Sequence, residues 1–177
     1  KTKLEQISNL AERYEGYGNS IKRVMEKKEE EKGVIGVIAD IIKVEEKYET
    51  AIETALGGNI NNIVTDDENT AKKMIRFLKE NKFGRATFLP LTSITHPQEF
   101  KNPDSLSEPG VIGMACDIVE TKDEYRNVAK AMLGRIVVVD NVDNALKIAK
   151  KFEYKLRLVT LEGEYIQPGG VLSGGSY

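Results

Sequence analysis

The chain has 177 residues, of which 40% are hydrophobic, so it can bury the core of one large domain or of two small ones. Its formal net charge of −2 argues against a surface that binds polyanions over its whole extent. It contains no apolar run long enough to span a bilayer and no signal-peptide pattern at its start, so we expect a cytoplasmic protein with no membrane partner. The single cysteine, Cys116, excludes an internal disulfide and is expected to be a buried, reduced thiol.

Residues 1–32 predict helices of the kind that flank a coiled coil. Four apolar residues recur at spacings of three, four and three, the heptad pattern of a coiled-coil seam: Leu4, Ile7, Ala11 and Tyr14. An ordinary amphipathic helix fits this spacing equally well. Gly16 and Gly18 break the helix, and Ser20 is predicted to cap a second one, because a serine hydroxyl there accepts from a free backbone N–H. The apolar face of the second helix is expected to carry Ile21, Val24 and Met25.

After residue 32 the pattern changes to short strands that alternate with helices. The predicted elements are helices at residues 48–56 and 67–81 and strands at residues 60–65 and 86–91. The longer helix is expected to point four side chains inward: Ala71, Met74, Ile75 and Leu78. A polar stretch with three prolines, residues 92–109, joins this half of the chain to the next.

The second half of the chain repeats the first. Gly33-Val34-Ile35-Gly36 returns 77 residues later as Gly110-Val111-Ile112-Gly113. After Gly57 the first copy is three residues longer, and the match resumes at an offset of 74 with Asp66 and Asp140. A constant spacing of this kind indicates a duplicated unit.

The duplication predicts an α/β (α+β) fold with two pseudo-twofold-related subdomains of short sheets and helices. A helix at residues 141–152 and a strand at residues 156–161 complete the second copy. We therefore expect a coiled-coil-like helical segment at 1–32, subdomain I at 33–108, and subdomain II with the C-terminal glycine motifs at 109–177.

Two glycine pairs lie close together near the C-terminus, Gly169-Gly170 and Gly174-Gly175. A flexible linker is one interpretation of such a stretch. Against it, the residues between the pairs include Val171 and Leu172, where a linker would favour serine or asparagine. Glycines around a small apolar step suit a place where another backbone packs very close.

No motif for catalysis or cofactor binding is recognisable. The glycines lack the Gly-Lys-Ser/Thr continuation of a phosphate-binding loop and the spacing of a dinucleotide fingerprint. The single histidine, His96, lies in a loop, no serine occupies a nucleophile elbow, and one cysteine with one histidine argues against a zinc site. We predict no catalytic residue, no cofactor, no metal and no small-molecule substrate, and therefore not an enzyme.

Basic clusters recur at equivalent places in the two copies and are candidates for sequence-independent DNA contact. The candidate residues are Lys72, Lys73, Lys79 and Arg85 in the first copy and Lys147, Lys150, Lys151 and Lys155 in the second. Taken alone, each cluster is better explained as the solvated face of an amphipathic helix. No aromatic residues interleave with the lysines, so stacking on single strands is not supported.

Several short segments, in this order and spacing, resemble the hinge domain of bacterial SMC proteins over nearly the whole chain. The segments are YEGYG (14–18), GVIGVIAD (33–40), ALGG (55–58), GRATFLPL (84–91), VTLEGE (159–164), PGG (168–170) and SGG (173–175). The resemblance implies a domain that interrupts a long coiled-coil arm, forms homodimers, and serves chromosome condensation and segregation on the nucleoid. The ATP-binding heads of such proteins lie far away in the sequence, and none of their motifs is present.

The resemblance also implies where the dimer contact lies, namely at sheet edges and the terminal glycine motifs. We therefore expect the contact to contain Gly169, Gly170, Gly174 and Gly175, together with Val171 and Leu172. Family members often carry DNA-contacting lysines just after the last glycine pair. This sequence stops at Tyr177 without them, which puts DNA contact through that patch in doubt.

Two other classes of function remain as alternatives. One is a ligand-binding or regulatory α/β domain with a cleft between its two repeats, which requires a polar, concave cluster at the repeat junction. The other is a dedicated DNA-binding module, which requires a more basic chain.

Overall fold

The structure is a computed structural model, and it describes residues 7–9 and 18–175. The described part of the first half contains five strands and four α-helices. In chain order these are β1 (Ile7–Asn9), α1 (Asn19–Glu26), β2 (Val34–Val37), α2 (Ile38–Ile41), β3 (Lys43–Glu45), α3 (Glu49–Leu56), β4 (Ile63–Thr65), α4 (Glu68–Asn81) and β5 (Phe88–Pro90).

The second half repeats the succession from β2 to β5 without a counterpart of β3, and then continues with a short extension. Its elements are β6 (Val111–Met114), α5 (Ala115–Ile118), α6 (Arg126–Leu133), β7 (Ile136–Val139), α7 (Val142–Lys151), β8 (Arg157–Thr160), β9 (Tyr165–Ile166) and β10 (Leu172–Ser173). Single 3-10 turns occur at Glu46–Tyr48, Gly57–Asn61, Leu91–Ser93, Pro103–Ser107 and Asp123–Tyr125. We call residues 34–90 the first unit and residues 111–173 the second unit.

The two units have the same sheet topology, which confirms the predicted α+β fold. In the first unit the strand order is β2-β4-β5, with β2 antiparallel and β5 parallel to the central strand. In the second unit β6-β7-β8 repeats this order and these directions, and β9 and β10 continue the sheet beyond β8. Both units interrupt their first strand pair with a register shift, between Val34 and Gly36 and between Val111 and Gly113.

A backbone bridge joins the two units at equivalent residues. The N–H of Lys43 donates to the carbonyl of Glu120 at 2.9 Å, and the N–H of Glu120 donates to the carbonyl of Lys43 at 2.7 Å. These residues are 77 positions apart, the offset of the repeat. Two equivalent residues that exchange both hydrogen bonds lie on either side of a twofold axis, so the pseudo-twofold axis passes between them. The equivalent helices α3 and α6 also pack together.

The core lies between each sheet and its helices. Strand β7 is buried along its whole length. Helices α4 and α7 pack their inner faces against the sheets. The side chains that these two helices bury are Ala71, Met74 and Leu78 in the first unit and Ala145, Ile148 and Ala149 in the second. Burial of each large aliphatic side chain contributes about 1.5–3 kcal/mol to folding.

Each unit starts its long helix with the same cap. The side chain of Asp67 accepts from Thr70 N–H at 2.9 Å, and that of Asn141 accepts from Asn144 N–H at 2.9 Å. In each unit the preceding aspartate ties the cap to the glycine before the first strand. Its N–H donates to the carbonyl of Gly33 at 2.8 Å in the first unit and to that of Gly110 at 2.9 Å in the second.

Some predicted details of the N-terminal segment are wrong. Gly18, with extended backbone, occupies the N-cap of α1, and Ser20 lies inside the helix, where its hydroxyl donates to the carbonyl of Arg85 at 2.6 Å. A tertiary acceptor therefore takes the hydroxyl that we expected to cap the helix. Most of the predicted heptad at residues 4–14 lies outside the described residues. The part that is described, Ile7–Asn9, is a strand that pairs with β3, whose free backbone groups it satisfies.

Two further predictions in the first unit need correction. The strand predicted at residues 60–65 is confined to β4, because residues 57–61 form a 3-10 turn that buries Ile60 without strand pairing. Ile75, predicted to face inward, is 50% exposed, because the buried stripe of α4 is narrower than the apolar pattern.

The linker predicted at 92–109 contains two 3-10 turns and buries Ser105, whose hydroxyl donates to the carbonyl of Asn102 at 2.7 Å.

We expect Gly33→Ala to lower the free energy of unfolding by about 1–3 kcal/mol, the usual cost of overpacking. A Cβ at this position would lie 2.5 Å from Asp66 Oδ1 and would meet the Thr70 hydroxyl, so the cap would have to shift. Gly58→Ala is the matched control, because nothing lies within 4 Å of a Cβ there. Urea unfolding of both variants measures the difference. Equal stabilities would show that the cap tolerates the extra methyl group.

Candidate functional site

The C-terminal glycine segment is an ordered extension of the second sheet rather than a flexible linker. Strand β9 pairs with β8, and the turn between them is closed by Gly163 N–H, which donates to the carbonyl of Thr160 at 3.0 Å. Strand β10 then pairs with β9, with Leu172 opposite Ile166. The N–H of Gln167 donates to the carbonyl of Val171 at 2.9 Å and closes this second turn.

Three of the four paired glycines have backbone conformations that favour glycine. The φ angles of Gly169, Gly170 and Gly175 are +92°, +88° and +119°, in a region that residues with a side chain rarely occupy. Among the described residues, no atom lies within 4 Å of a Cβ placed on Gly169 or Gly175. The surface next to these two glycines is therefore open to an approaching chain.

Apolar side chains surround the glycines and are exposed. Val171 is 61% exposed, Leu172 is 49% exposed, and Tyr154, just after α7, is 42% exposed. These three are among five large hydrophobic residues that are exposed in the described part of the chain. We call Tyr154, Val171 and Leu172, with the four glycines, the glycine patch.

The glycine patch lies at the edge of its sheet. Within residues 7–9 and 18–175, no strand pairs with the outer side of β10, and none pairs with the outer side of β5. The two edges are not equivalent, because the counterpart of β5 is β8, which carries β9 on the corresponding side. The first unit therefore ends in a bare strand at the position where the second unit has two additional strands.

The predicted DNA-contacting residues are exposed on two separate helices. Lys72, Lys73 and Lys79 lie on α4, and Lys147, Lys150 and Lys151 lie on α7, while Arg85 and Lys155 follow these helices. Two of the eight are in ion pairs. Lys73 contacts Glu31 at 2.8 Å, and Lys151 contacts Glu108, the equivalent of Glu31, at 2.9 Å.

A cleft of about 790 Å³ lies at the junction of the two units, where the sequence revealed no polar cluster. Its lining includes Lys28, Lys43 and Lys122 as well as Asp40 and Glu120, and so mixes both charges. Partial burial raises the pKa of the Asp40 carboxyl above its ordinary value, and the ammonium of Lys28 opposes this shift. The cleft has the location that the ligand-binding alternative requires.

The residues around Cys116 form a small polar cluster with a structural role. Arg126 donates to the carbonyl of Cys116 and to the carboxylate of Asp117, which ties α6 to α5. Cys116 and Asp117 line a surface depression, and His96 lies in a loop that borders it. In the part of the chain that the structure describes, no group of three or more histidine, cysteine or acidic side chains is placed to hold a metal ion. Among the same residues, no helix is both long and apolar enough to cross a membrane.

A duplicated α+β domain that presents an open sheet edge with glycines is the architecture of a module for self-association. Residues 31–149 match the family model described as "SMC proteins Flexible Hinge Domain". The chain therefore belongs to the SMC hinge family.

Solved structures and curated relatives agree with this assignment. The chain is 38% identical to the Geobacillus stearothermophilus SMC hinge domain, crystallised as an asymmetric dimer, with a TM-score of 0.86 over 93% of this chain and 68% of that one. The Pyrococcus furiosus SMC hinge domain is 34% identical, with a TM-score of 0.74 over 93% of this chain and 84% of that one. The chromosome partition protein Smc of Desulfitobacterium hafniense is 38% identical, and that of Bacillus subtilis is 36% identical.

The matches cover very different shares of these proteins. The alignments include 96% and 99% of this chain but only 14% and 15% of the two chromosome partition proteins. The chain thus spans about one seventh of the curated relatives it matches.

Sequence patterns did not identify two side chains that contact the glycines. The ring of Tyr154 lies 3.3 Å from the Cβ position of Gly170, and the Cγ of Glu164 lies 3.1 Å from that of Gly174. Both contacts are tertiary, so neither helical nor strand periodicity reveals them. The Glu162-Gly163-Glu164 turn signal was the only indication that Glu164 would fold back towards its own sheet.

We expect Cys116 to react slowly with a thiol reagent in the folded protein. Burial and the charge of Asp117 raise the pKa of its thiol, although Arg126 opposes the shift, so less thiolate is present at a given pH than in a free cysteine. Labelling with a chromogenic disulfide should be slow at neutral pH and should become fast in guanidinium chloride. Equal rates in the two conditions would contradict the burial of this thiol.

Proposed function

We propose that this domain is a dimerisation hinge, which joins two copies of its chain through the glycine patch. The observation that carries the proposal is the open edge of β10, where exposed Val171 and Leu172 lie between Gly169 and Gly175, whose Cβ positions have no described atom within 4 Å. An exposed strand edge offers unpaired N–H and carbonyl groups to another strand. Burial of the apolar side chains would add to the affinity.

The bare edge of β5 is the proposed partner for the glycine patch of the second copy. In a twofold dimer a contact between β10 of one protomer and β5 of the other occurs twice, because the same operation relates both pairs. Pro90 at the end of β5 lacks an N–H, which suits an edge strand. Each three-stranded sheet would then continue into the five-stranded sheet of its partner.

The family suggests what the dimer does. The curated relatives are chromosome partition proteins, and we propose that this domain joins two coiled-coil arms of such a protein in the cytoplasm, on the nucleoid. We propose that it does so without catalysis. In this proposal residues 1–32 lead in from one arm, residues 33–108 form subdomain I, and residues 109–177 form subdomain II.

The dimer is tested by Leu172→Glu, with Ile75→Glu as the matched control. Both side chains are about half exposed, so neither charge should change the free energy of unfolding by more than about 0.5 kcal/mol. We expect light scattering across a concentration series to give twice the chain mass for the wild type and the Ile75 variant. The Leu172 variant should dissociate at concentrations at least about tenfold higher, since a buried, unpaired charge at the contact costs more than 1.4 kcal/mol.

Two results would contradict the proposal. A monomeric wild type at all concentrations would remove the dimer itself. A Leu172 variant that dimerises as well as the Ile75 variant would place the contact elsewhere on the surface.

We propose that any contact with DNA is secondary, weak and independent of sequence, and that it uses the lysines of α7. The carboxylate of Glu108 already neutralises part of the charge of Lys151, whereas Lys150 is exposed with no ion pair among the described contacts. These neighbours on one helix make a matched pair of test positions.

Lys150→Gln should weaken binding of a labelled DNA duplex and reduce the slope of log affinity against log salt by about one. Lys151→Gln should have the smaller effect, because its ammonium group is shared with Glu108. Fluorescence anisotropy at several salt concentrations measures both quantities. Binding that does not weaken with salt, or no binding at low salt, would contradict the proposed DNA contact.

A further inference from the structure

We propose that Tyr154 and Glu164 are positioning residues that hold the two glycine pairs in the shape that a second copy recognises. This inference rests on the proposed dimer, because it assigns roles within the same glycine patch. Each side chain lies under one glycine of one pair, Tyr154 under Gly170 and Glu164 under Gly174. The two supports come from different parts of the chain, because Tyr154 lies three residues after α7 and Glu164 directly precedes β9.

Tyr154 supports the first pair through its backbone and through its ring. Helix α7 is followed by two consecutive left-handed residues, Glu153 and Tyr154, with φ angles of +60° and +59°. This conformation is unfavourable for residues with a Cβ, so it persists only because the surroundings stabilise it. The N–H of Tyr154 donates to Ala149 at 2.8 Å, and its carbonyl accepts from Gly169 N–H at 2.8 Å. The left-handed residues after α7 thus place the carbonyl of Tyr154 next to the N–H of Gly169.

Glu164 supports the second pair from inside the sheet. The hydroxyl of Thr160, which is fully buried, donates to the carboxylate of Glu164. The Glu164 N–H in turn donates to the same hydroxyl at 3.1 Å, and its carbonyl accepts from Thr160 N–H at 2.9 Å. With both ends fixed on Thr160, the side-chain stem is held where it contacts Gly174.

The four glycines consequently divide into two kinds. A Cβ on Gly170 or Gly174 would press on its own protomer, at 3.3 Å and 3.1 Å respectively, and Gly170 has a positive φ angle as well. Gly169 and Gly175 have positive φ angles and no described atom within 4 Å of a Cβ, so we assign their open side to the second copy. One glycine of each pair therefore packs inward on a support, and the other is left for the partner.

Gly174 provides the cleanest test, because it does not have a positive φ angle. The three described atoms nearest to a methyl group there all belong to Glu164, with the Cγ at 3.1 Å, so steric contact with Glu164 is a sufficient reason for glycine in the free protomer. Removal of the Cγ of Glu164 should then relieve the cost of that methyl group. A double-mutant cycle measures such coupling directly.

The experiment compares wild type, Gly174→Ala, Glu164→Ala and the double variant by dimer dissociation constant and by urea unfolding. We expect each single variant to weaken dimerisation by about tenfold, and the double variant to be weakened by less than the product of the two. Glu164→Gln should restore the wild-type dissociation constant, because an amide oxygen also accepts from the Thr160 hydroxyl. A purely structural role would move the unfolding curves without the rescue in dimer affinity.

The first support has a parallel test. Tyr154→Phe keeps the ring and should dimerise as the wild type does. Tyr154→Asn keeps a residue that tolerates the left-handed conformation but removes the ring, and should weaken dimerisation by about tenfold.

The outcomes separate this inference from the proposed function. A wild-type protein that stays monomeric overturns the dimer itself. A wild-type dimer whose dissociation constant is unchanged by Glu164→Ala and Tyr154→Asn, or whose Gly174 and Glu164 effects multiply without coupling, overturns the positioning roles and leaves the dimer standing.

Discussion

The two units are held in one body by a reciprocal pair of backbone hydrogen bonds between Lys43 and Glu120. Because these residues are equivalent in the repeat, the bridge defines the pseudo-twofold axis. The packing of α3 against α6 adds contact around the same axis. Each unit contributes one sheet to this body, and the sheets have open edges at β5 and at β10 among the described residues. The glycine patch lies on one of these edges.

The difference between the units matters as much as their similarity. Strand β8 is followed by a turn that packs against α3, since a Cβ on Gly163 would lie 3.1 Å from the Thr50 methyl group. After that turn the chain runs antiparallel to β8 as β9, and the glycine segment then forms β10, which pairs with β9. Strand β5, by contrast, is followed by the segment with three prolines and gains no further strand. A duplication that was complete would present two identical edges. The incomplete one presents two different edges on one molecule, and a twofold dimer can satisfy both at once.

Features fixed by local backbone geometry could be predicted from the sequence, and features fixed by tertiary contacts could not. The repeat was visible because Gly33 and Gly110 must each lie against a capped helix start, where a Cβ does not fit. The helix predicted at residues 67–81 agrees with α4, at whose start the side chain of Asp67 accepts from Thr70 N–H. The prediction that Ser20 caps α1 was wrong because its hydroxyl donates to the carbonyl of Arg85, which is 65 residues away. The glycine pairs could be proposed as the dimer contact from the sequence, but the roles proposed for Tyr154 and Glu164 could not, since only the folded sheet brings these side chains beneath the glycines.

What the duplication has kept also bears on function. Both units contain the Gly-x-x-Gly segment, at residues 33–36 and 110–113, together with the helix cap and the irregular first strand pair. All of these control backbone geometry. Some contacts of charged side chains have diverged, although Asp40 and Asp117 themselves recur at the repeat offset. Asp117 is held by Arg126, whereas the position equivalent to Arg126 in the first unit is Glu49, so the environment of Asp40 is different. Catalysis by a repeated site would require the chemical groups to recur together. The constant backbone and the differing charges fit a domain whose two units supply shape, and the glycine patch lies around β10, which with β9 is a strand that only the second unit has among the described residues.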